Sequence, residues 1–339
     1  MMPRPIQSPS ISCVIPAFNE ARNLETVVLP LLATLCSLSA RVELIVVDDG
    51  SRDDTTHVMQ TLCAAHPEMV YLKLSRNFGK EPAMTAGIDA TRGEVVVLMD
   101  ADGQHPAALL AEMLQKWQQG SDVVYAVRQT RDDQSRLQIS LTGFFYNLVN
   151  FGSRVKIPAN ASDFRLMDRK VVEALKSLPE RNRFMKGLYA WAGFNSTAID
   201  YQPLPRAEGK SNFGLRGSLS LALTGMLAFS IAPLRALTLV GLVLSALALG
   251  FGGLVVIEHL VWGIDVPGYA TIVVGMMFFS GIQLLSIGVL AEYVGRIYEE
   301  VKQRPPYFIS QRAGAGLAPR GPAGGTANPG SERQQASLL

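Results

Sequence analysis

Two acidic clusters in this chain have the composition and spacing to do chemistry. Asp100-Ala101-Asp102-Gly103-Gln104 sets two carboxylates at i and i+2, just past the apolar run Val95 to Met99. Carboxylates that close repel each other, and placing them beside a buried strand is costly. A divalent cation relieves the repulsion. Mg²⁺ or Mn²⁺ prefers oxygen ligands and often joins one or two carboxylates to substrate phosphates. Asp48-Asp49-Gly50-Ser51 follows a second apolar run, Val42 to Val47. An acid there can accept hydrogen bonds from a ribose or a base edge, although Asp, Gly and Ser are equally ordinary in a turn. The first apolar run is followed by Pro16-Ala17-Phe18-Asn19-Glu20, which contains no glycine. Together the three segments favour binding of a metal–diphosphate over a set of solvated turn acids.

Other chemistries lack their residues. A GxGxxG turn, needed by NAD and FAD enzymes, does not follow the first strand. Gly209-Lys210-Ser211 ends like a P-loop, but Leu204 stands where that loop needs glycine, between Pro203 and Pro205. There is no GxSxG nucleophile elbow and no QxxRW segment. His57, His66, His105 and His259 have no metal-ligand spacing and read as turn or helix-surface residues. Cys13, Cys36 and Cys63 form no CxxC pair. Each lies in an apolar stretch and reads as a small buried hydrophobe, in keeping with a reducing compartment.

Strands alternating with helices must position these residues. Apolar runs predict strands at Ile11–Ile15, Val42–Val47, Val70–Leu74, Val95–Met99 and Asp122–Val127. Helical spacing covers Glu20–Leu38, Asp53–Ala65, Glu81–Ala90 and Pro106–Gln118. This order implies a parallel α/β sheet of Rossmann type, with ligands at the carboxyl ends of the strands. Both acidic clusters lie at such ends.

The 339 residues are 48% hydrophobic and 18% charged, with a net charge of +2. That balance excludes a disordered chain and supplies no basic field for nucleic acid. The charges are unevenly spread: between Gly217 and Ala291 only Arg235, Glu258 and Asp265 are charged. Ala236–Ile257 and Val266–Ala291 are each long enough to cross a bilayer as a helix. Arg206, Lys210, Arg216 and Arg235 precede them, and Arg296, Lys302 and Arg304 follow. The positive-inside rule puts both flanks in the cytoplasm, with the Glu258–Asp265 link outside. Residues 217–234 read as an interfacial amphipathic helix rather than a third span, because Ser218, Ser220, Thr224 and Ser230 interrupt them and Pro233 ends them.

The expected organisation is a flexible N-terminus (1–10) with no signal peptide, then a cytoplasmic catalytic domain (11–216) and the interfacial helix (217–234). A two-helix transmembrane domain (235–292), a cytoplasmic segment (293–310) and a disordered Gly/Ala/Pro tail (311–339) follow. Gly225, Gly241, Gly250, Gly252 and Gly253 permit close helix packing, which leaves a homo-oligomer open.

At these residues the chain resembles the family 2 GT-A glycosyltransferases, especially the polyisoprenyl-phosphate glycosyltransferases. That group includes dolichol-phosphate mannose synthase and bacterial undecaprenyl-phosphate glucosyltransferases. The matching stretches are Val14–Glu20, Val47–Ser51, Asn77–Glu81, Asp100–Pro106, Ser162–Leu166, Arg206–Ser211 and Arg304–Tyr307. The resemblance implies a GT-A sheet followed by an interfacial helix and two transmembrane helices. It implies that Pro16, Glu20 and Asp48 line a nucleoside pocket. Asp100 and Asp102, with Gln104, would hold Mg²⁺ or Mn²⁺ and the donor diphosphate, and Asp100 would count among the nucleotide-binding residues. Arg128, Arg136 and Ser140 would bind the acceptor phosphate, with Arg206, Lys210 and Ser211 in a segment over the site. One departure is Gly103, where relatives often carry Leu.

The residues agree in part. Arg128 follows a strand end, where a guanidinium can grip phosphate by two hydrogen bonds. Arg136 opens an apolar stretch with Phe144, Phe145 and Tyr146; a solvated face remains the alternative for both arginines. Asp163 could orient a substrate hydroxyl or assist the reaction alongside Asp102, or could equally be an N-cap. The implied reaction is inverting transfer of a sugar from a nucleotide-diphosphate donor, UDP-glucose first, to a polyprenyl phosphate at the cytoplasmic leaflet of the inner membrane. GDP-mannose, a modified UDP-arabinose donor, or a scaffold that binds nucleotide sugar without catalysis are the alternatives.

Overall fold

The computed structural model describes residues 4, 8–128, 161–181, 183–204, 232–262 and 268–318. Every apolar run read as a strand forms one: β1 (Ile11–Ala17), β2 (Val42–Asp48), β3 (Met69–Leu74), β4 (Val95–Leu98) and β5 (Val123–Arg128). The periodic segments between them are α1 (Ala21–Leu38), α2 (Thr55–Ala65), α3 (Lys80–Ala90) and α4 (Leu109–Gln118). Beyond them lie β6 (Ala161–Asp168), α5 (Arg169–Ser177), α6 (Met185–Trp191) and β7 (Ser196–Tyr201). The long helices α7 (Ala232–Trp262) and α8 (Tyr269–Lys302) and the strand β8 (Ile309–Ala313) follow.

The strands form one sheet in the order β7-β5-β6-β4-β1-β2-β3-β8. β1 pairs in parallel with β2 and β4, β2 with β3, and β5 with β7. β6 and β8 run antiparallel, β6 between β4 and β5 and β8 on the outer side of β3. The sheet is therefore mostly parallel and flanked by helices. Successive residues of a strand face opposite sides, so one apolar run serves two layers. Cys13 and Ile15 of β1 pack with Leu24, Val28, Leu31 and Leu35 of α1, while Val14 packs with Ala83 and Met84 of α3. α3 lies unusually close to the sheet at Gly87, where a Cβ would sit 2.2 Å from Val14 Cγ1. That approach holds the first turn of α3 over the strand ends.

α1 is long and apolar enough to resemble a span, but its Leu24, Val28, Leu31, Leu32 and Leu35 are buried against the sheet, so it is a core helix. α8 is different. Within Val274–Lys302 an 18-residue window has a mean hydropathy of 1.9, and none of that window is buried. An exposed apolar face of that length, unsatisfied in water, suits a bilayer. α7 presents Leu239, Leu242, Leu247 and Leu254 in the same way. α7 runs past both ends of the apolar stretch Ala236–Ile257, and α8 begins inside Val266–Ala291 and runs past its end. The expected interfacial helix lies outside the described residues as far as Ile231; Ala232 to Leu234 begin α7.

Two expectations are corrected. The stretch from Gln311 reads as disordered, yet Gln311, Arg312 and Ala313 pair with Lys73, Leu72 and Tyr71. The glycines that suggest disorder are required by close approach. Gly314 has φ +80°, and a Cβ on it would meet the Met69 carbonyl oxygen at 2.0 Å. Buried Glu43 then anchors the segment, accepting from the Leu317 N–H (3.1 Å), the Arg92 N–H (2.6 Å) and Ser12 Oγ (2.5 Å). Cysteine burial is the second correction: Cys13 and Cys63 are buried, but Cys36 is exposed on α1.

Candidate active site

The carboxyl ends of β1, β2 and β4 meet above the sheet, and the loops after them are tied together by side chains. Asn19, at φ 56°, donates its N–H to Ser51 Oγ (2.8 Å) and accepts the Arg52 N–H at Oδ1 (3.0 Å). Pro16 lies half-buried in β1 opposite Val47. Glu20 precedes α1, and its Oε2 accepts from Asn23 Nδ2 (2.8 Å). Asp48 is fully enclosed. Its Oδ1 accepts the Ser51 N–H (2.7 Å) and its Oδ2 the Tyr71 hydroxyl (2.6 Å). Asp48 therefore braces the turn behind the pocket, and both its oxygens already have donors. Asp49 accepts the Phe78 and Gly79 N–H groups (2.7 and 2.8 Å). Burial pushes its carboxyl above the usual range, against the pull of those two donors.

The loop that Asp49 holds delivers Lys80 as the first residue of α3. Its ammonium lies 2.7 Å from Asp100 Oδ1 and 2.7 Å from Asp163 Oδ2. One lysine thus joins the first acid after β4 to the first acid of β6. Burial works against the charge of Lys80, but Asp100 and then Asp163 outweigh it and hold the ammonium above its ordinary range. Burial pushes the Asp163 carboxyl up, yet Lys80, Lys186 and Arg165 together keep it well below the usual carboxylate range. It is an ionised acceptor in the wall of the site. The N-cap alternative for Asp163 falls away, because it stands in β6; the cap of α5 is Asp168, which accepts the Lys170 N–H (2.9 Å).

Asp102 Oδ1 accepts the N–H of Gln104 (3.1 Å), and the Gln104 carbonyl accepts the Leu204 N–H (3.0 Å). The loop is thereby closed over itself and tied to the segment after β7. His105 departs from its expected surface role. It is 8% exposed, stacks on Phe164 at 4.9 Å and meets the edge of Tyr201 at 5.9 Å. Its Nδ1 accepts the Asp100 N–H (3.2 Å), and its Nε2 lies 3.1 Å from Ser162 Oγ. Burial lowers its pKa, so a neutral ring fixes the backbone of Asp100.

No cluster of three or more His, Cys, Asp or Glu side chains forms a metal site among the described residues. Lys80 occupies one oxygen of Asp100, and the loop N–H occupies one of Asp102. Asp100 and Asp102 offer an all-oxygen set of one or two carboxylates, the kind that holds Mg²⁺ or Mn²⁺ only together with substrate phosphates and water. The residues fit a cation that arrives with a diphosphate, and do not form a cage for a resident one.

Beneath Asp163 lies a buried polar layer that sequence reasoning passed over. Arg165, two residues on along β6 and 3% exposed, stacks its guanidinium 3.5 Å over the Tyr189 ring and donates to the Ser162 carbonyl (2.9 Å). Its Nε and the Tyr189 hydroxyl have no hydrogen-bond partner among the described residues. Glu81 accepts the Met185 N–H (3.2 Å), and burial, with the Asp163 charge, pushes its carboxyl up to about 7. Lys80 did carry a signal in the sequence: a cation in the first turn of a helix opposes the helix dipole. Arg165 carried a weaker one, a charge inside an apolar alternation.

Arg128 ends β5 beside Tyr201 of β7, at the same carboxyl edge. Arg136, Ser140, Arg206, Lys210 and Ser211 lie outside the described residues.

Comparison with known proteins fits this geometry. The sequence profile described as Glycosyl transferase family 2 matches residues 12–176. An uncharacterized glycosyltransferase of Synechocystis sp. is 42% identical over 91% of this chain and 97% of its own length. The SfII prophage-derived bactoprenol glucosyl transferase of Shigella flexneri is 40% identical over 89% of this chain and 97% of its own. A prophage bactoprenol glucosyl transferase homolog of Escherichia coli K12 is 39% identical over 89% and 98%.

Proposed function

The chain belongs to glycosyl transferase family 2 and is a glycosyltransferase, and on that premise we propose that it transfers a sugar from a nucleotide-diphosphate donor to a polyprenyl phosphate at the cytoplasmic membrane surface. One observation carries the lipid acceptor. The likeness to the bactoprenol glucosyl transferase of S. flexneri spans 89% of this chain, so it takes in the long apolar helices as well as the sheet. UDP-glucose is the first donor to try on the same ground, with undecaprenyl phosphate as acceptor.

Pro16 and Glu20 line the nucleoside side of the pocket, and Asp48 keeps its back wall in place. Asp100, Asp102 and Gln104 would hold Mg²⁺ or Mn²⁺ together with the donor diphosphate. When bound, that cation neutralises charge on the departing diphosphate. Lys80 holds Asp100 and Asp163 in place before the donor arrives and keeps Asp163 ionised. Arg128, with Arg136, Ser140, Arg206, Lys210 and Ser211, binds the acceptor phosphate. A phosphate oxygen attacks the anomeric carbon from the face opposite the nucleotide. The new carbon–oxygen bond forms as the bond to the diphosphate breaks, and the configuration inverts. The second pKa of a phosphate monoester is about 6, so the attacking oxygen is ionised at neutral pH and needs no general base. Asp163, held ionised, orients a sugar hydroxyl.

The test uses the full chain in detergent with Mn²⁺, undecaprenyl phosphate and radiolabelled UDP-glucose, GDP-mannose and a UDP-arabinose derivative in turn. A labelled lipid from one donor supports the reading and names the sugar. Binding of a donor without labelled lipid from any of them would favour a scaffold without catalysis.

A further inference from the structure

Lys80 stands between two carboxylates that depend on it unequally. Its ammonium is 2.7 Å from Asp100 Oδ1 and 2.7 Å from Asp163 Oδ2. Burial opposes the charge of Asp163, and Lys80, Lys186 and Arg165 all act to hold it. Asp100 is served differently. His105 reaches the backbone of Asp100 rather than its carboxylate, accepting the N–H at Nδ1 (3.2 Å). The ion pair of Asp100 is with Lys80. Burial opposes the charge of Lys80 as well, and of the two acids that outweigh it Asp100 acts more strongly than Asp163.

Asp100 is also a residue proposed to hold a divalent cation with the donor diphosphate. A carboxylate shared by an ammonium and a divalent cation brings like charges within a few ångströms of each other, and in a partly enclosed site they repel more strongly than in water. The two therefore compete for the same negative charge. A nucleoside diphosphate changes the balance, because it adds negative charge of its own. The lysine is built to adjust. Asp49 fixes the backbone just before it, through the Phe78 and Gly79 N–H groups (2.7 and 2.8 Å). The charge itself is compact and rides on a flexible four-carbon stem, so it can lean from Asp100 toward Asp163 while α3 stays where it is.

We infer that Lys80 makes cation binding conditional on the donor: its ammonium balances Asp100 and holds off a divalent cation until a nucleoside diphosphate supplies the charge that lets both stay. Cation and donor then bind as a pair, and the cation leaves with the nucleoside diphosphate. In the loaded site Lys80 stays on Asp163. This role of Lys80 rests on the proposed cation role of Asp100, but not on the identity of the sugar or the acceptor.

The test is Mn²⁺ binding to the full chain in detergent, followed by electron paramagnetic resonance with and without UDP. In the wild type, UDP should tighten Mn²⁺ binding by about a hundredfold. Lys80→Met should tighten Mn²⁺ binding about tenfold without UDP and change it by less than about threefold with UDP. Lys80→Arg keeps the charge and should bind Mn²⁺ without UDP no more tightly than the wild type. Coupling is reciprocal, so Mn²⁺ should strengthen UDP binding about tenfold less in Lys80→Met than in the wild type. A gain in affinity is a result that damage to the fold does not produce, and Lys80→Gln carries the same expectation should Lys80→Met fold poorly. Unchanged or weaker Mn²⁺ binding without UDP in the uncharged variants, or an equal gain in Lys80→Arg, would overturn the role of Lys80 and leave the cation role of Asp100 standing. Failure of the wild type to bind Mn²⁺ even with UDP would overturn the cation role of Asp100, and that of Lys80 with it.

Discussion

Asp102 and Lys80 make different demands on the same site, and their variants separate them. Asp102→Asn keeps the hydrogen bond from Gln104 but loses a charge that the cation and diphosphate require. Transfer should fall by about a hundredfold or more, the scale of losing one preorganised electrostatic contact, with the melting temperature unchanged. Near-normal turnover in that variant would remove Asp102 from the metal site. Lys80→Met leaves Asp100 and Asp163 without the cation that joins them. Two-fifths of the lysine side chain is exposed, so solvent screens the pair, and the stability loss should be only about 1 kcal/mol. The activity loss should be larger than that, and Lys80→Arg should recover part of it. Activity that survives Lys80→Met unchanged would make the ion pairs structural only.

Glu81 supplies a pH signature. Its carboxyl titrates near 7 in the folded chain, raised by burial and by Asp163. The folded state then holds a proton that the unfolded state has lost, so stability falls as pH rises from the ordinary carboxylate range through about 7. Glu81→Gln removes that dependence and can still accept the Met185 N–H. The variant should gain in melting temperature relative to the wild type between pH 5 and pH 8. A difference that stays constant across that range would place the Glu81 titration elsewhere.

Elements differ in how plainly the sequence announces them. β1 to β5 and the helices between them are local events: an apolar run or a 3.6-residue period, closed by a turn. β6 and β8 are decided by partners far along the chain. β6 enters antiparallel between β4 and β5 and brings Asp163 and Arg165 to the site, and no local pattern distinguishes it from a strand on an edge. β8 hides behind Gly314 and Gly316, whose positive φ and close approach to β3 look in composition like a loose tail. Of the site itself, the acids after β2 and β4 were legible, because paired carboxylates past apolar strands are unusual. Lys80 and Arg165 left only faint local signals and His105 none, because their roles arise only when α3, β4 and β6 meet. The β8 segment carries its own prediction. Gly314→Val should detach it by collision with the Met69 carbonyl, lower the melting temperature by several degrees and raise hydrogen exchange in β3. Unchanged protection of β3 would show that β8 contributes nothing to the sheet.

At the scale of the whole molecule, a sheet with an acidic, phosphate-competent edge is joined to two long helices whose apolar faces nothing in this chain covers among the described residues. That union suits a reaction whose two substrates come from different phases. The proposed orientation has its own check: a tag after Leu339 should be accessible from the cytoplasmic side and a tag in the Glu258–Asp265 link from the other, and finding both on one side would contradict the two-span topology. The central claim concerns the acceptor, and phosphorus NMR observes it directly. With purified chain, Mn²⁺, UDP-glucose and undecaprenyl phosphate, the phosphate monoester signal of the lipid should be replaced by a phosphodiester signal as UDP accumulates. Release of UDP with the monoester signal unchanged would mean that the sugar goes elsewhere, and the polyprenyl phosphate acceptor would be wrong.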